Sequence, residues 1–263
     1  MARIHVIGGT GESLDIPAVR KIGPRDLADA LASGIDDFAA MPSHAVFLCL
    51  IYPIVGFFLG GLTLGYNVLP LFFPLAAGFA LIGPVAAVGL YELSRRRERG
   101  LDAHWTHAFD VLRSPSLSAI VALGCVLMGF FLAWLASAQA LYESLFGVMP
   151  PSSFGQFVRD VFTTPAGHSL MLWGNLIGFL FAVCVLTISA VSFPLLIDRE
   201  VGAASAVATS VRVVMTNPTT MALWGLIVAA LLVIGSLPAF IGLAAVMPVL
   251  GHATWHLYRK AVV

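Results

Sequence analysis

Residues 101–138 read LDAHWTHAFDVLRSPSLSAIVALGCVLMGFFLAWLASA. Leu101, Trp105, Ala108, Phe109 and Leu112 recur at helical spacing, Ser114-Pro115 closes that stretch, and an uncharged apolar run from Ser116 to Ala138 follows. Crossing the hydrocarbon of a bilayer takes roughly 20 mostly apolar residues in a helix, so the second part is expected to span a membrane and the first to lie along its surface. The same order occurs twice more. Leu27, Leu31, Ile35 and Phe38 precede Met41-Pro42, and Val207, Val211, Val214 and Met215 precede Asn217-Pro218, each followed by enough apolar sequence for a pair of spans. Proline cannot extend the helix before it and biases its predecessor away from the helical region. Each proline is therefore expected to turn a surface helix into a spanning one.

Composition agrees with that reading. Hydrophobic residues make up 59% of the chain and charged residues 11%, whereas soluble domains carry about 25% charged residues. The net charge is zero, which excludes the basic surplus that nucleic-acid binding needs. Cys49, Cys125 and Cys184 lie far apart inside apolar runs, a pattern of packing residues and not of a disulfide framework or a zinc site. Residues 1 to 24 contain no apolar core of a signal peptide. The string Val6-Ile7-Gly8-Gly9-Thr10-Gly11 lacks the spacing of a dinucleotide or phosphate loop.

The expected fold is therefore all-α: a polytopic membrane protein of six transmembrane helices in three hairpins, each preceded by a cytoplasmic amphipathic helix. The spans are read at Ser43–Leu64, Leu69–Leu93, Ser116–Ala138, Ser169–Phe193, Thr219–Ser236 and Leu237–Leu257. Residues 1–24 are expected to form a flexible cytoplasmic tail, and 25–260 a single membrane domain with modules 25–96, 97–198 and 199–260. With six spans, every Lys and Arg except Arg159 falls on the side of the two termini, and the positive-inside rule makes that side cytoplasmic. The 139–168 loop then projects outward, with Phe154, Phe157, Val158, Val161 and Phe162 spaced for a short interfacial helix. Modules one and three leave the bilayer alike, through Tyr91-Glu92-Leu93-Ser94-Arg95-Arg96 and Trp255-His256-Leu257-Tyr258-Arg259-Lys260. The aromatic ring suits the headgroup level and the long cations reach into water.

The stretch Val19–Leu27, the following Ala30–Gly34 and Asp36-Asp37-Phe38, then Tyr52-Pro53 and the Tyr91–Arg96 exit resemble a bacterial family of integral membrane proteins catalogued as a domain of unknown function. Some members of that family carry a cytochrome c oxidase subunit I label. The resemblance runs over roughly residues 19–260. It implies the all-α membrane fold and an inner-membrane address, and it brings no catalytic residues with it.

Of the seven histidines, His44, His104, His107, His252 and His256 lie near one membrane face. Their convergence would make a metal or haem site; imidazoles serving the interface are the more economical reading. No histidine falls deep within a span, so the oxidase catalytic subunit fails on ligand inventory. Glu92 is the carboxylate inside a span and is expected to pair with Arg95 or Arg96. Asn175 is expected to bond between helices. Gly56, Gly60, Gly61 and Gly65, and Gly174 and Gly178, form close-approach spacings. Asp26, Asp29, Asp36 and Asp37 read as the solvated face of the first surface helix. Asp37 and Asp110 occupy matching places five residues before Pro42 and Pro115.

No catalytic motif is present. The leading expectation is a protein that is not an enzyme, has no cofactor, and acts through surfaces on the lipid bilayer, on another membrane complex (a respiratory one among them), or on itself. Two alternatives stay open: a transporter or channel for a small or apolar solute, and a haem- or metal-binding redox protein.

Overall fold

The structure, a computed structural model, describes residues 16–41, 69–149, 151–238 and 240–263. Among them the chain is all-α, with a single isolated β-bridge between Val19 and Val262. The α-helices are α1 (Pro24–Ala40), α2 (Phe72–Gly78), α3 (Gly83–Ala86), α4 (Val88–Glu98), α5 (Leu117–Phe146), α6 (Phe154–Thr163), α7 (Pro165–Ser189), α8 (Ser192–Asp198), α9 (Ala203–Thr216), α10 (Pro218–Ser236) and α11 (Leu243–Ala261). Among the described residues four stretches are long and apolar enough to cross a membrane: Phe72–Glu98, Leu117–Phe146, Pro165–Asp198 and Pro218–Ser236. The expected first span, 43–64, lies outside the described residues. α11, the expected sixth, is not among the four.

Local chemistry explains where these helices begin and break. α1 starts on Pro24, with the Asp26 carboxylate accepting the Gly23 backbone N–H at 2.9 Å, and it stops at Met41 before Pro42. The second apolar run is not one smooth helix: Pro70, Pro74 and Pro84 divide it into 3-10 turns at Leu69–Leu71 and Phe79–Ile82 between the short helices α2 and α3. Each proline removes a helical N–H and crowds the preceding turn. The second surface element, Trp105–Arg113, is a 3-10 helix that ends before Ser114-Pro115. α6 occupies the place read for an interfacial helix, capped by Ser153, whose hydroxyl accepts the Gln156 N–H at 3.2 Å.

By its internal contacts the chain divides into two compact units: Met1–Pro53 with Gly83–Cys125 and Leu186–Val263, and Ile54–Ile82 with Val126–Val185. In the second unit the core is Trp134. Its indole N–H donates to the Pro74 carbonyl at 2.8 Å, and its ring lies against Phe181 and over Gly178, where an added Cβ would meet it at 3.1 Å.

In the first unit the surface elements pair with the exit helices. α1 packs along α11, Trp105–Arg113 along α4, and α9 against α8, while α4, α8 and α11 touch one another. The α1–α11 crossing is closest at Gly34, where a Cβ would stand 2.6 Å from the Ala253 nitrogen. The backbone before α1 continues this closure. Arg20 N–H donates to the Ala261 carbonyl at 3.0 Å and Val263 N–H to Ala18 at 2.9 Å. Asn217 accepts the Ile22 N–H at 2.8 Å and donates to the Arg20 carbonyl at 3.2 Å. Residues 18–22 are thus held in place, and of the stretch read as a tail, 1–15 lie outside the described residues.

Each surface element leaves part of its apolar stripe exposed. α1 buries Leu27, Ala30, Gly34 and Asp37, leaving Ile35 52% exposed. The 3-10 element buries Ala108 and Val111 while Phe109 is 52% and Leu112 63% exposed. α9 buries Ser205, Ala206, Thr209, Ser210 and Val213 and leaves Met215 73% exposed. Small and polar residues face inward because the close crossings admit them and because their hydroxyls find carbonyls there. Ser210, for example, donates to Thr187 at 2.8 Å.

Candidate functional site

Asp37 gathers a cluster of polar side chains in the first unit. Its place on the solvated face of α1 is corrected by the structure: it is 2% exposed and aims at α4 and α11. The cause is its register, three residues beyond Gly34 and ten beyond Leu27, on the face that the α1–α11 crossing buries. Ser94 Oγ donates to Asp37 Oδ2 at 2.6 Å, His256 Nε2 stands 2.9 Å from the same oxygen, and Arg97 pairs with Oδ1. Burial acts to raise the Asp37 carboxyl. The hydrogen bonds from His256, Ser94 and Arg97 outweigh it and bring the pKa down to about 2. Asp37 is therefore an anion at neutral pH, neutralised by partners from two other helices.

His252, one turn before His256, extends this cluster inward. It is fully buried, with Nδ1 2.7 Å from Ser94 Oγ and 3.9 Å from Asp37. A hydroxyl carries one proton and a carboxylate only accepts. The Ser94 proton thus goes to Asp37, and the Ser94 oxygen accepts from His252 Nδ1–H. Among the described residues Nε2 of His252 meets no side-chain partner, and the Leu90 backbone bonds to the same imidazole.

A second layer of charges surrounds the cluster. Glu92, 3% exposed, accepts from Arg95 at 2.7 Å, with Arg96 at 3.9 Å. Asp198 collects Arg99 at 2.9 Å, Arg259 at 3.2 Å and the Tyr258 hydroxyl at 2.8 Å. Glu98 accepts from the Trp255 indole at 2.9 Å and from Arg259 at 3.0 Å. The exit helices are held to one another by charge, each carboxylate meeting at least one cation.

Among the described residues, the histidines read from the sequence fall in separate places. His252 and His256 meet at Asp37. His107 lies 2.7 Å from Asp110 and 3.2 Å from Asp102, and His104 lies 3.0 Å from Thr106. The His107 hydrogen bond lowers the Asp110 pKa. His44 lies outside the described residues, among which no group of three or more His, Cys, Asp and Glu is arranged to hold a metal. Among the described residues Asn175 is exposed and its amide donates to Met171 O at 2.7 Å on its own helix, with no bond to another helix. Gly178 lies under Trp134, and Gly174 has Leu141 as its nearest neighbour at 3.8 Å. Gly56, Gly60, Gly61 and Gly65 fall outside the described residues. Ser94 and Arg97 were not singled out by the sequence, although Asp37 shares a register face with the small residues Ala30 and Gly34 that mark a close crossing.

Helices of this length and apolarity define the chain as an all-α integral membrane protein. Residues 72–198 match the model of the family described as "Predicted integral membrane protein (DUF2189)", a family of unknown function. This is the kind of family that the sequence resembles, over a shorter stretch than 19–260. No curated protein and no solved structure matches the chain.

Proposed function

We propose that this is a six-span protein of the bacterial inner membrane, with both termini and its three surface elements on the cytoplasmic face. In this reading it has no catalytic activity of its own and acts through its surfaces, organising lipid or supporting a membrane complex, a respiratory one among the possibilities. The observation that carries the reading is the set of large apolar side chains that α1, Trp105–Arg113 and α9 leave exposed. Ile35, Phe109, Leu112 and Met215, between about half and three quarters exposed, suit an apolar neighbour, and an acyl–headgroup boundary is one. Arg25, Arg113 and Arg212 on the same elements make no ion pair among the described residues, and the cations of the exit helices are occupied internally. Free cations next to apolar side chains favour an anionic lipid surface.

The test is gentle extraction from the native membrane followed by mass spectrometry of what remains bound. Retained anionic phospholipid or a stoichiometric membrane-protein partner, lost when Phe109, Leu112 and Met215 are all changed to Ser, is the expected result. Reproducible absence of both removes the proposal. A second reading, a transporter or channel, draws its support from the buried Asp37–Ser94–His252 cluster, since ionisable groups inside a membrane protein often mark a path. Flux of a candidate solute that survives loss of that cluster would remove its support.

A further inference from the structure

α6 carries an apolar face that the reading of the other surface elements leaves out. Of its five large apolar residues, Phe157 and Val161 are half-buried, and Phe157 packs on Tyr142 of α5 with ring centroids 6.2 Å apart. Phe154, Val158 and Phe162, four residues apart and so on one face, stay outside, with Phe154 56% and Phe162 64% exposed. The flank beside them is polar: Gln156, Arg159 and Thr163 are all exposed. A tight corner fixes how this face is presented. The backbone of Thr164 is extended and breaks the axis between α6 and α7. Thr164 Oγ1 donates to the Asp160 carbonyl at 2.7 Å and accepts the Gly167 N–H at 3.0 Å, and His168 Nε2 lies 3.0 Å from the Phe162 carbonyl. A Cβ at Gly167 would run into the Asp160 and Val161 carbonyl oxygens, so α7 begins directly on the α6 backbone.

What covers this face follows from where α6 is tethered. It comes after one apolar helix long enough to cross a membrane, α5, and turns at Thr164-Pro165 straight into another, α7. Both of its ends therefore stand at an edge of the hydrocarbon. A short helix with an apolar face and a polar flank at that level lies in the bilayer plane, its apolar side among acyl chains and its long cation reaching water. We infer that α6 is an interfacial helix whose Phe154, Val158 and Phe162 are covered by phospholipid acyl chains, and that its packing on Tyr142 and Gly167 sets the depth at which α5 and α7 cross. The 30 residues of α5 exceed the roughly 20 that cross the hydrocarbon, so its length alone does not say which part is in lipid. With α6 at the acyl–headgroup boundary, α5 leaves lipid at Tyr142, whose ring suits that level. Glu143 and Ser144 then stand in water, and both are exposed. α7 enters lipid after Gly167, and its large exposed residues Leu172, Phe179 and Leu180 follow.

The inference concerns an element that the lipid-organising reading does not use, and its test leaves α1, Trp105–Arg113 and α9 unchanged. Full-length protein with Cys49, Cys125 and Cys184 replaced by Ala receives single cysteines at exposed positions. Each variant is labelled with a nitroxide and placed in phosphatidylcholine–phosphatidylglycerol nanodiscs at one copy per disc. Power-saturation EPR compares collisions with oxygen, which concentrates in lipid, and with a water-soluble nickel chelate. Labels at Phe154→Cys, Val158→Cys and Phe162→Cys, and at Ala136→Cys on α5, should favour oxygen. Labels at Gln156→Cys, Thr163→Cys and Ser144→Cys should favour nickel. Nickel-favoured labels at 154, 158 and 162 put that face in water and overturn the inference. Shielding of those labels from both reagents also overturns it, because protein and not lipid then covers the face. The same preference at Ala136→Cys and Ser144→Cys overturns the depth assignment. Should Phe154→Cys or Phe162→Cys fail to fold, Val158→Cys against Gln156→Cys decides on the same criterion.

Discussion

Replacing Gly34 by alanine tests the closure of the first unit with a single methyl group. A Cβ at Gly34 would lie 2.6 Å from Ala253 N, 2.7 Å from Ala253 Cβ and 2.8 Å from Val249 O. Two of these are backbone atoms of α11, so no rotamer change relieves the contact and the two helices must separate. Overpacking of this kind costs about 1–3 kcal/mol, against a gain of about 1 kcal/mol from replacing a helical glycine. The net expectation for Gly34→Ala is a loss of up to about 2 kcal/mol. At about 2 °C per kcal/mol for a chain of this size, the midpoint should fall by up to about 4 °C. Gly129, in α5, has nothing beyond its own helix within 4 Å of its would-be Cβ among the described residues, so Gly129→Ala keeps the propensity gain without the clash and should leave the midpoint unchanged or slightly raised. The assay is thermal unfolding in one detergent or nanodisc composition, followed by near-UV circular dichroism, with hydrogen exchange of the α1 amides as a local readout. A Gly34→Ala midpoint at or above that of Gly129→Ala, with α1 protection unchanged, would refute the close α1–α11 crossing.

Other perturbations address neighbouring parts of the fold. Because the folded pKa of Asp37 lies near 2, below its ordinary value of 3.8, its contribution to stability is fully present above pH 4 and is lost as pH falls from 4 towards 2. Pulling a carboxylate down by that much corresponds to about 2 kcal/mol, so acid titration of unfolding should show this loss and Asp37→Asn should lack it. Asn217→Ala leaves the Ile22 N–H and the Arg20 carbonyl without their side-chain partners and should cost about 2 kcal/mol, with faster amide exchange at residues 20–22. Trp134→Phe removes the bond to the Pro74 carbonyl and should lower stability by about 1–2 kcal/mol, read as an earlier loss of the tertiary signal. In a cysteine-free background, Leu101→Cys and Val148→Cys, both at exposed positions, should react with impermeant maleimide from opposite sides of the membrane; labelling from one side would overturn the proposed topology.

Much of the secondary structure was legible because its causes are local. Helix starts and stops follow from Pro24, Pro115, Pro165 and Pro218, and the apolar runs of α5, α7 and α10 meet the length that a bilayer demands. The proline-divided stretch from 69 to 98 was harder to read. Its hydropathy is that of one span, while Pro70, Pro74 and Pro84 act on single turns. The apolar stripes of the surface elements were also visible, but the direction they face was not. Periodicity shows that a helix has two faces; which one is buried depends on what packs against it.

The candidate site belongs to that second category. Within α1, Asp37 shares the register of Leu27, Ala30 and Gly34 while Asp36 does not, but only the packed partners bury the one and leave the other exposed. The partners that decide this, Ser94, Arg97 and His256, stand 57, 60 and 219 residues away in the chain. The four-residue spacing of His252 and His256 was readable, as was the shared face it implies, but only the crossing of α11 with α1 and α4 seals one imidazole and leaves the other at the surface. The sequence by itself determined an all-α membrane protein, because apolar length and proline placement act over a few turns of one helix. The tertiary structure decided which charges are buried and what neutralises them, because that depends on helices distant in sequence meeting at a glycine.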